Sequence, residues 1–358
     1  MSDSPQALAA DSRRALIAGT LLTVAVFVVG LTWAKWLPYT HKALAAAQNH
    51  HWSGSDIMGV GGVHAGDAPS WHAATTFFHA YTASIWPALV VALLLSACVQ
   101  AFVPRDWLPL VLNRRRLLPS AVAGGLASMP SMMCTCCSAP VAATLRRAGV
   151  NNAAAVAYWL GNPLLNPAVL VFLCLVAPWQ WTLTRLSVGV AAVVSGSALV
   201  AVITRRRGEA SARDDDDVVA IGGTDDRGPA AKFTAALLRM GLILLPEYAV
   251  LVLLIGAGRG WLLTLLEPSR LGLLLVVIAA VVGTLMVIPT AGEIPILQAL
   301  ALLGASSGVV GALLITLPAV SLPGAAMVAR SFGWRATAAT AVVVMAAGLL
   351  GGAVLTLL

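Results

Sequence analysis

The chain has 358 residues, of which 59% are hydrophobic and 10% charged, and its formal net charge is +7. A soluble domain carries about 25% charged residues, so this composition excludes a soluble globular protein and indicates a membrane protein with several spans. In such a protein an excess of Arg and Lys marks cytoplasmic loops rather than a nucleic-acid partner. We therefore expect the lipid bilayer as a partner and no nucleic acid.

Apolar runs long enough to span a bilayer recur along the chain. They lie at about 15–37, 79–103, 117–145, 150–178, 180–204, 233–257, 271–303, 305–329 and 336–358. Between them lie a polar stretch at 38–78 with five of the six histidines and a charged, glycine-rich stretch at 205–232. We expect the first to be a solvated outer loop and the second a disordered cytoplasmic linker. The predicted domains are an N-terminal helix with its loop, a first membrane repeat, the linker and a second repeat, at 1–78, 79–204, 205–232 and 233–358.

The two halves resemble each other in the positions of proline and glycine. One set of matches has a spacing of 159 residues: Pro87 with Pro246, Gly124 with Gly283, and Pro130 with Pro289. A later set has a spacing of 155 residues: Pro140 with Pro295, Gly149 with Gly304, and Pro163 with Pro318. The pattern predicts an internal duplication in which the first half carries four additional residues between Pro130 and Pro140.

Arginines at the ends of the apolar runs indicate the topology, because cytoplasmic loops are enriched in Arg and Lys. Arg13 and Arg14 place the N-terminus in the cytoplasm. Arginines flank the run 117–145 on both sides, and this run is shorter than two spans of about 20 residues each. We therefore expect a re-entrant hairpin here, and the alternative is one long tilted helix that would place Arg146 and Arg147 outside.

The second half repeats this order with the opposite orientation. Its predicted hairpin at 271–303 enters from outside, and a proline-broken span at 305–329 returns, as the broken span 150–178 does in the first half. The predicted fold is an all-α polytopic membrane protein of two inverted-topology repeats with broken or re-entrant helices.

The tip of the first predicted hairpin is rich in sulfur. Three of the five cysteines, Cys134, Cys136 and Cys137, lie within four positions, and Met133 precedes them. On a regular helix Cys134 and Cys137 would share a face and Cys136 would point elsewhere, whereas an unwound tip would let all three converge. Three thiolates suit a trivalent arsenical or Cu(I), and methionine would add a thioether. The alternative is that cysteines pack well in membrane helices as small apolar residues.

Two further features lie inside apolar runs. The sequence GNPLLNP at 161–167 contains Asn162 and Asn166, which would line a discontinuous helix at a substrate site or, alternatively, support a simple proline kink. Glu293 is the only charge between Arg270 and Arg330. It is either a proton-carrying acid or cation partner, or part of a hydrated hairpin tip. The predicted substrate-binding residues are Cys134, Cys136, Cys137, Asn162, Asn166, Met133 and Glu293, with the three cysteines as metal ligands.

These features together resemble the predicted permease family that includes the ArsP-like methylarsenite-efflux permeases. The resemblance covers about 79–358, and the cysteines of the family motif fall on Cys134 and Cys136, with its serine and proline on Ser138 and Pro140. It implies a permease. Cys137, the pair of Met132 and Met133, and the sequence GNPLLNP depart from the pattern of the arsenical exporters, which favours copper, another soft metal or a thiol compound as the cargo.

The sequence predicts a permease that exports a soft thiophilic metal or metalloid species across the plasma membrane. Its expected partner is a small inorganic or organometallic substrate, with no cofactor, and a homo-oligomer is an open alternative. No GxxxxGK[ST] sequence is present, so we do not expect ATP hydrolysis by this chain. The alternatives are a membrane thiol oxidoreductase, a transporter of a thiol-containing small molecule, and a metal sensor or assembly factor.

Overall fold

The computed structural model describes residues 5–49, 57–103, 107–205, 228–264, 272–302 and 304–358. Within these ranges the chain is helical and contains no strand. Six helical segments there are long and apolar enough to cross a membrane, or seven if one bent helix pair counts as a single span. The prediction of an all-α polytopic fold is therefore confirmed.

The N-terminal helical segment is longer than predicted. α1 (Pro5–Leu31) continues through a π-helical turn (Thr32–Trp36) into α2 (Leu37–Asn49). The prediction of a loop from residue 38 is wrong for this part, because the alanine-rich sequence continues the helix beyond the apolar run. α3 (Trp71–Phe102) likewise starts within the predicted loop, where Ser70 caps its first turn.

The rest of the first half consists of three short helices, a broken span and a long helix. Its elements are α4 (Trp107–Leu112), α5 (Leu117–Ser128), a 3₁₀ turn (Met129–Ser131), α6 (Thr135–Arg147), α7 (Asn152–Leu164), α8 (Pro167–Val176), α9 (Trp179–Ala191), a π-helical turn (Ala192–Gly196) and α10 (Ser197–Arg205). At about 1.5 Å per residue, α5 and α6 each cover roughly two thirds of a hydrocarbon layer about 30 Å thick.

The two ends of this α5–α6 segment meet. The side-chain amide of Asn113 donates to the carbonyl of Gly149 at 3.0 Å, and the backbone N–H of Asn151 donates to Asn113 Oδ1 at 2.8 Å. A single long helix would hold these residues apart. The segment is therefore a hairpin that returns to the end of the molecule from which it started.

The second half repeats this order of elements. They are α11 (Pro229–Thr264), α12 (Leu273–Leu285), α13 (Glu293–Leu302), α14 (Ser307–Ala319), α15 (Leu322–Phe332) and α16 (Trp334–Leu357), with a bend of 51° between α14 and α15. The predicted linker 205–232 is shorter than expected, because α10 includes Arg205 and α11 starts at Pro229. Its central residues 206–227 lie outside the described residues.

Two contacts between the halves bear on the predicted opposite orientation of corresponding elements. Phe102 at the end of α3 stacks on Phe233 at the start of α11, with ring centroids 6.0 Å apart. Arg147 at the end of α6 donates to the hydroxyl of Ser331 in α15 at 3.0 Å, so α15 ends near the point where α7 begins. Both contacts agree with an inverted duplication, and the inverted-repeat assignment itself stays a prediction.

Small residues bring the hairpins close to the broken spans. A Cβ atom on Gly124 of α5 would lie 2.1 Å from the carbonyl oxygen of Ala154 in α7. A Cβ atom on Gly283 of α12 would lie 2.2 Å from Thr316 Oγ1 in α14. Glycine is required at both positions, since small residues let membrane helices approach closely. These are two of the glycines that match between the halves.

The hairpin predicts how the chain is labelled from outside the cell. Val150 is fully buried and unsuitable for labelling, whereas Arg115 and Arg147 are exposed at the two ends of the hairpin. In a variant without native cysteines, Arg115→Cys and Arg147→Cys should both resist a membrane-impermeant maleimide until the cells are permeabilised, because arginine-flanked ends prefer the cytoplasm. Trp71→Cys, at a position that is 74% exposed, should react in intact cells. Different accessibility of the two hairpin positions would contradict the hairpin.

Candidate functional site

The tips of the two hairpins share an unusual backbone conformation. Met132 has φ 48° and Ala291 has φ 67°, and they are the non-glycine residues with positive φ in the described part of the chain. Such residues cost about 1–2 kcal/mol each in local conformation. Their spacing is the 159 residues that separates the matched prolines and glycines. Each hairpin therefore reverses at an equivalent, strained position.

The three clustered thiols converge at the tip of the first hairpin. Cys134 is the residue before α6 and has extended backbone angles, while Cys136 and Cys137 lie in the first turn of this helix. The Sγ atom of Cys134 is 3.1 Å from that of Cys136 and 3.0 Å from that of Cys137. All three Sγ atoms lie within 4.8 Å of one another. Cys134 can approach both partners because it lies outside the regular helix.

Both halves of the protein enclose this cluster. The hydroxyl of Tyr81 in α3 lies 3.2 Å from the Sγ atom of Cys136, and the hydroxyl of Tyr248 in α11 lies 3.9 Å from the same atom. The two tyrosine rings are 6.1 Å apart. Sequence analysis did not identify these tyrosines, because their positions in the helices carry no local motif.

Asn162 fixes the position of the hairpin tip. Its Oδ1 atom accepts a hydrogen bond from the Ser131 hydroxyl and another, at 3.3 Å, from the backbone N–H of Met133. Its amide group donates to the carbonyl of Tyr158 at 2.9 Å. The Met133 side chain is fully buried in the hydrophobic core. The structure thus brings two predicted residues together at the cysteine tip, the side chain of Asn162 and the backbone of Met133.

The start of α6 is anchored to both broken spans. Trp159 of α7 donates its indole N–H to the carbonyl of Thr135 at 3.0 Å. The Thr135 hydroxyl donates to the carbonyl of Pro318 in α14 at 2.5 Å. The cysteine tip is therefore held directly by elements of both halves.

Asn166 occupies the break between α7 and α8. Its Oδ1 atom accepts from the backbone N–H groups of Ala168 and Val169, at 3.1 and 3.4 Å, and so caps α8. Ser321 performs the same role before α15, where its hydroxyl accepts from Gly324. Asn166 is thus a helix cap, and its buried Nδ2 atom has no partner among the described residues.

Glu293 forms a buried ion pair with a residue that sequence analysis missed. Its Oε1 atom lies 2.8 Å from a guanidinium nitrogen of Arg185 in α9, and both side chains are almost completely buried. Arg185 also donates to the carbonyl of Pro163 at 2.8 Å, at the broken end of α7. Arg185 could have been noticed in the sequence as a charged residue inside the apolar run 180–204. Its position there does not indicate that Glu293 is its partner. The ion pair fits the expected role of a cation partner, the burial of Glu293 does not fit a hydrated hairpin tip, and its role in substrate binding stays a prediction.

Comparison with known proteins identifies the family. Residues 70–357 match the family described as predicted permease. The chain is also 38% identical over 328 residues to the UPF0718 protein YraQ of Escherichia coli (strain K12), a match that covers 91% of this chain and 92% of that protein. The chain belongs to the predicted permease family. No solved structure matches it.

Membership confirms the family resemblance and the assignment to multi-pass membrane proteins with a transport role. In the described part of the permease, one group of at least three side chains could hold a metal ion, and it consists of the three clustered cysteines. Cys98 is buried alone and Cys174 is exposed. Glu247, the other acid in an apolar setting, pairs with Arg330 at 3.0 Å. The described histidines do not form a metal cluster.

A second buried cation of the permease was also missed. Lys35 lies in the π-helical turn after α1 and is 5% exposed, and Trp36 beside it donates to the carbonyl of Pro130 at 2.8 Å. The run 15–37 was treated as a simple span, although a lysine near its end was visible. This turn precedes the residues that match the family.

The geometry predicts unequal effects for the two asparagines. Asn162→Ala removes both hydrogen bonds to the hairpin tip and should lower transport at least about tenfold. The stability cost should be small, since such bonds contribute about 0.6 kcal/mol each in membrane proteins. Asn166→Ala removes a helix cap at about 1 kcal/mol and should impair transport less. The measurement is the transport rate per amount of folded protein. Normal transport by the double variant would show that the two asparagines only support the proline kink and have no role in transport.

Proposed function

We propose that this permease exports a soft, thiophilic metal or metalloid species across the plasma membrane and acts as a transporter rather than an enzyme. The substrate class is a trivalent arsenical or a copper-like ion. The observation that carries the proposal is the group of three buried thiols whose Sγ atoms lie within 4.8 Å of one another. Thiolate sulfur selects soft ions over hard ones such as Mg²⁺ or Ca²⁺.

The surroundings of the thiols support a transport site. The cluster is held by the broken span α7 on one side and by α14 of the other half on the other side. Secondary transporters typically bind their substrates between repeats, at discontinuous helices. Thiols bind metals as thiolates, so loading releases protons and unloading takes them up. This proton exchange offers a route by which transport of the cargo could be coupled to protons. The proposed orientation places the N-terminus on the cytoplasmic side.

A membrane thiol oxidoreductase is the second candidate. The distance of 3.0 Å between the Sγ atoms of Cys134 and Cys137 favours it, because these sulfurs need only a small movement to bond at about 2.05 Å. Cys134 and Cys137 also have the spacing of the C-x-x-C redox motif, whereas the burial of all three thiols, which are at most 4% exposed, argues against exchange with a redox partner. A transporter of a thiol-containing small molecule would use the same cluster.

Reconstituted transport separates these candidates. Purified protein in proteoliposomes should move Cu(I), Hg(II) or methylarsenite across the membrane, and protein-free liposomes should not. Cells that lack the protein should become more sensitive to the transported species in a panel of metals and metalloids. A protein that moves none of these species, but catalyses dithiol–disulfide exchange, would be an oxidoreductase. Movement of a thiol compound alone would establish the other alternative.

A further inference from the structure

Together with the neighbouring Trp36, Lys35 reaches the tips of the two hairpins from outside the two repeats. Its ammonium group donates to the hydroxyl of Tyr39 at 3.0 Å and to that of Thr290 at 3.2 Å. Thr290 belongs to the tip of the second hairpin, and Pro130, which binds the neighbouring Trp36, belongs to the tip of the first. The turn that contains Lys35 is π-helical, a conformation that is frequent at functional sites.

Among the described residues, Lys35 has no acidic partner. In the described part of the chain the ion pairs are Arg185 with Glu293 and Arg330 with Glu247, and the hydrogen-bond partners of Lys35 are two neutral hydroxyls. The neighbouring Trp36 donates to the carbonyl of Pro130, four residues before Cys134, so the charge of Lys35 lies beside the hairpin tip that carries the thiols. A buried ammonium group is unfavourable without a nearby negative charge. The cysteine cluster is the nearby group that acquires negative charge when it binds a metal.

The net charge of the bound complex depends on the cargo. Cu(I) on two thiolates, or Hg(II) on three, carries one negative charge, and each thiol gives up one proton to water. Methylarsenite binds two thiols with loss of two water molecules and leaves a neutral complex. Opposite charges attract strongly in a buried site. Lys35 therefore stabilises the first kind of complex and contributes little to the second.

We propose that Lys35 is part of the substrate site and selects soft metals whose thiolate complex carries one negative charge over neutral arsenic complexes. This inference rests on the proposed function and narrows its substrate class. It also assigns a role to the N-terminal helical segment, which precedes the residues that match the family.

The test measures binding of Hg(II), Cu(I) and methylarsenite separately to the purified full-length protein, in competition with a soluble thiol. Lys35→Met should weaken Hg(II) or Cu(I) binding at least about tenfold and change methylarsenite binding less than about twofold. Lys35→Arg keeps the charge and should bind the metals almost normally. Lys42→Met removes an exposed lysine two turns further along and is the matched control, with no expected effect.

A second pair of variants removes the net charge but keeps the lysine. Thr290→Asp places a carboxylate beside Lys35 and should weaken metal binding as Lys35→Met does, whereas the uncharged Thr290→Asn should not. If Lys35→Met lowers the affinity for metals and for methylarsenite equally, Lys35 only supports the structure and the inference is overturned. Unchanged metal binding in both Lys35→Met and Thr290→Asp would overturn it as well. If the wild-type protein binds none of the three probes, the proposed function itself is wrong. Metal binding by the wild type that is insensitive to Lys35 overturns the selectivity inference alone.

Discussion

Replacement of the three clustered cysteines by serine is expected to abolish both binding and export of the soft cargo. The hydroxyl oxygen is a poor ligand for such ions. Changes to residues that only orient metal ligands typically cost about 10–100-fold in affinity, so loss of the ligands should cost more than about a hundredfold. The measurement is metal binding to purified protein, together with the resistance that the variant gives to cells that lack the native protein.

The single variants report how many thiols bind. Cys134→Ser should be severe, because this thiol contacts both of the others, and Cys136→Ser should abolish export as well. Cys137→Ser should be equally severe if three thiolates bind, and milder if two suffice. Cys98→Ser and Cys174→Ser are the matched controls and should be near neutral. A triple serine variant that is well expressed and gives full resistance would show that the cluster is only packing.

Removal of one partner from the buried pair of Arg185 and Glu293 is expected to destabilise the protein by about 3–5 kcal/mol. Glu293→Gln leaves the guanidinium buried without its carboxylate, and Arg185→Met leaves the carboxylate buried alone. The double variant should lose less than the sum of the two single losses, since it leaves no isolated charge. The measurement is thermal unfolding in detergent, analysed as a double-mutant cycle.

The partly exposed pair of Glu247 and Arg330 is the control. These side chains are 25% and 43% exposed, and Glu247→Gln should cost less than about 1 kcal/mol. A Glu293→Gln protein with unchanged stability would contradict the structural role of the ion pair. If that stable protein also failed to transport, Glu293 would instead act as a proton-carrying acid.

The sequence predicted the membrane segments because two physical rules are local. Continuous apolar runs mark the spans, and arginines on both sides of 117–145 indicated the hairpin that the contacts of Asn113 now show. The first helix ended later than predicted, because hydropathy reports where apolar residues end and not where helix formation ends. Polar, alanine-rich residues after Leu37 continue the helix.

Long-range partners were harder to predict from one sequence. The convergence of the cysteines was accessible because they are close neighbours in the chain. Glu293 was visible as an isolated charge, but Arg185 lies 108 residues away and nothing local connects the two. Tyr81 and Tyr248 reach the thiols only because α3 and α11 pack together. The candidate site was thus predictable where proximity in sequence creates it, and unpredictable where tertiary packing does.

The burial of the cysteine cluster has a consequence for the permeability barrier. The exposed fractions of Cys134, Cys136 and Cys137 are 4%, 1% and 0%, so the thiols are closed to water from both compartments. If the thiols hold the cargo, this closed arrangement is the occluded state that keeps protons and ions from leaking through the site. A transport cycle must therefore include two further conformations, one open to each compartment. The hydrogen bond from Thr135 to the carbonyl of Pro318 joins the halves at the point where they must separate.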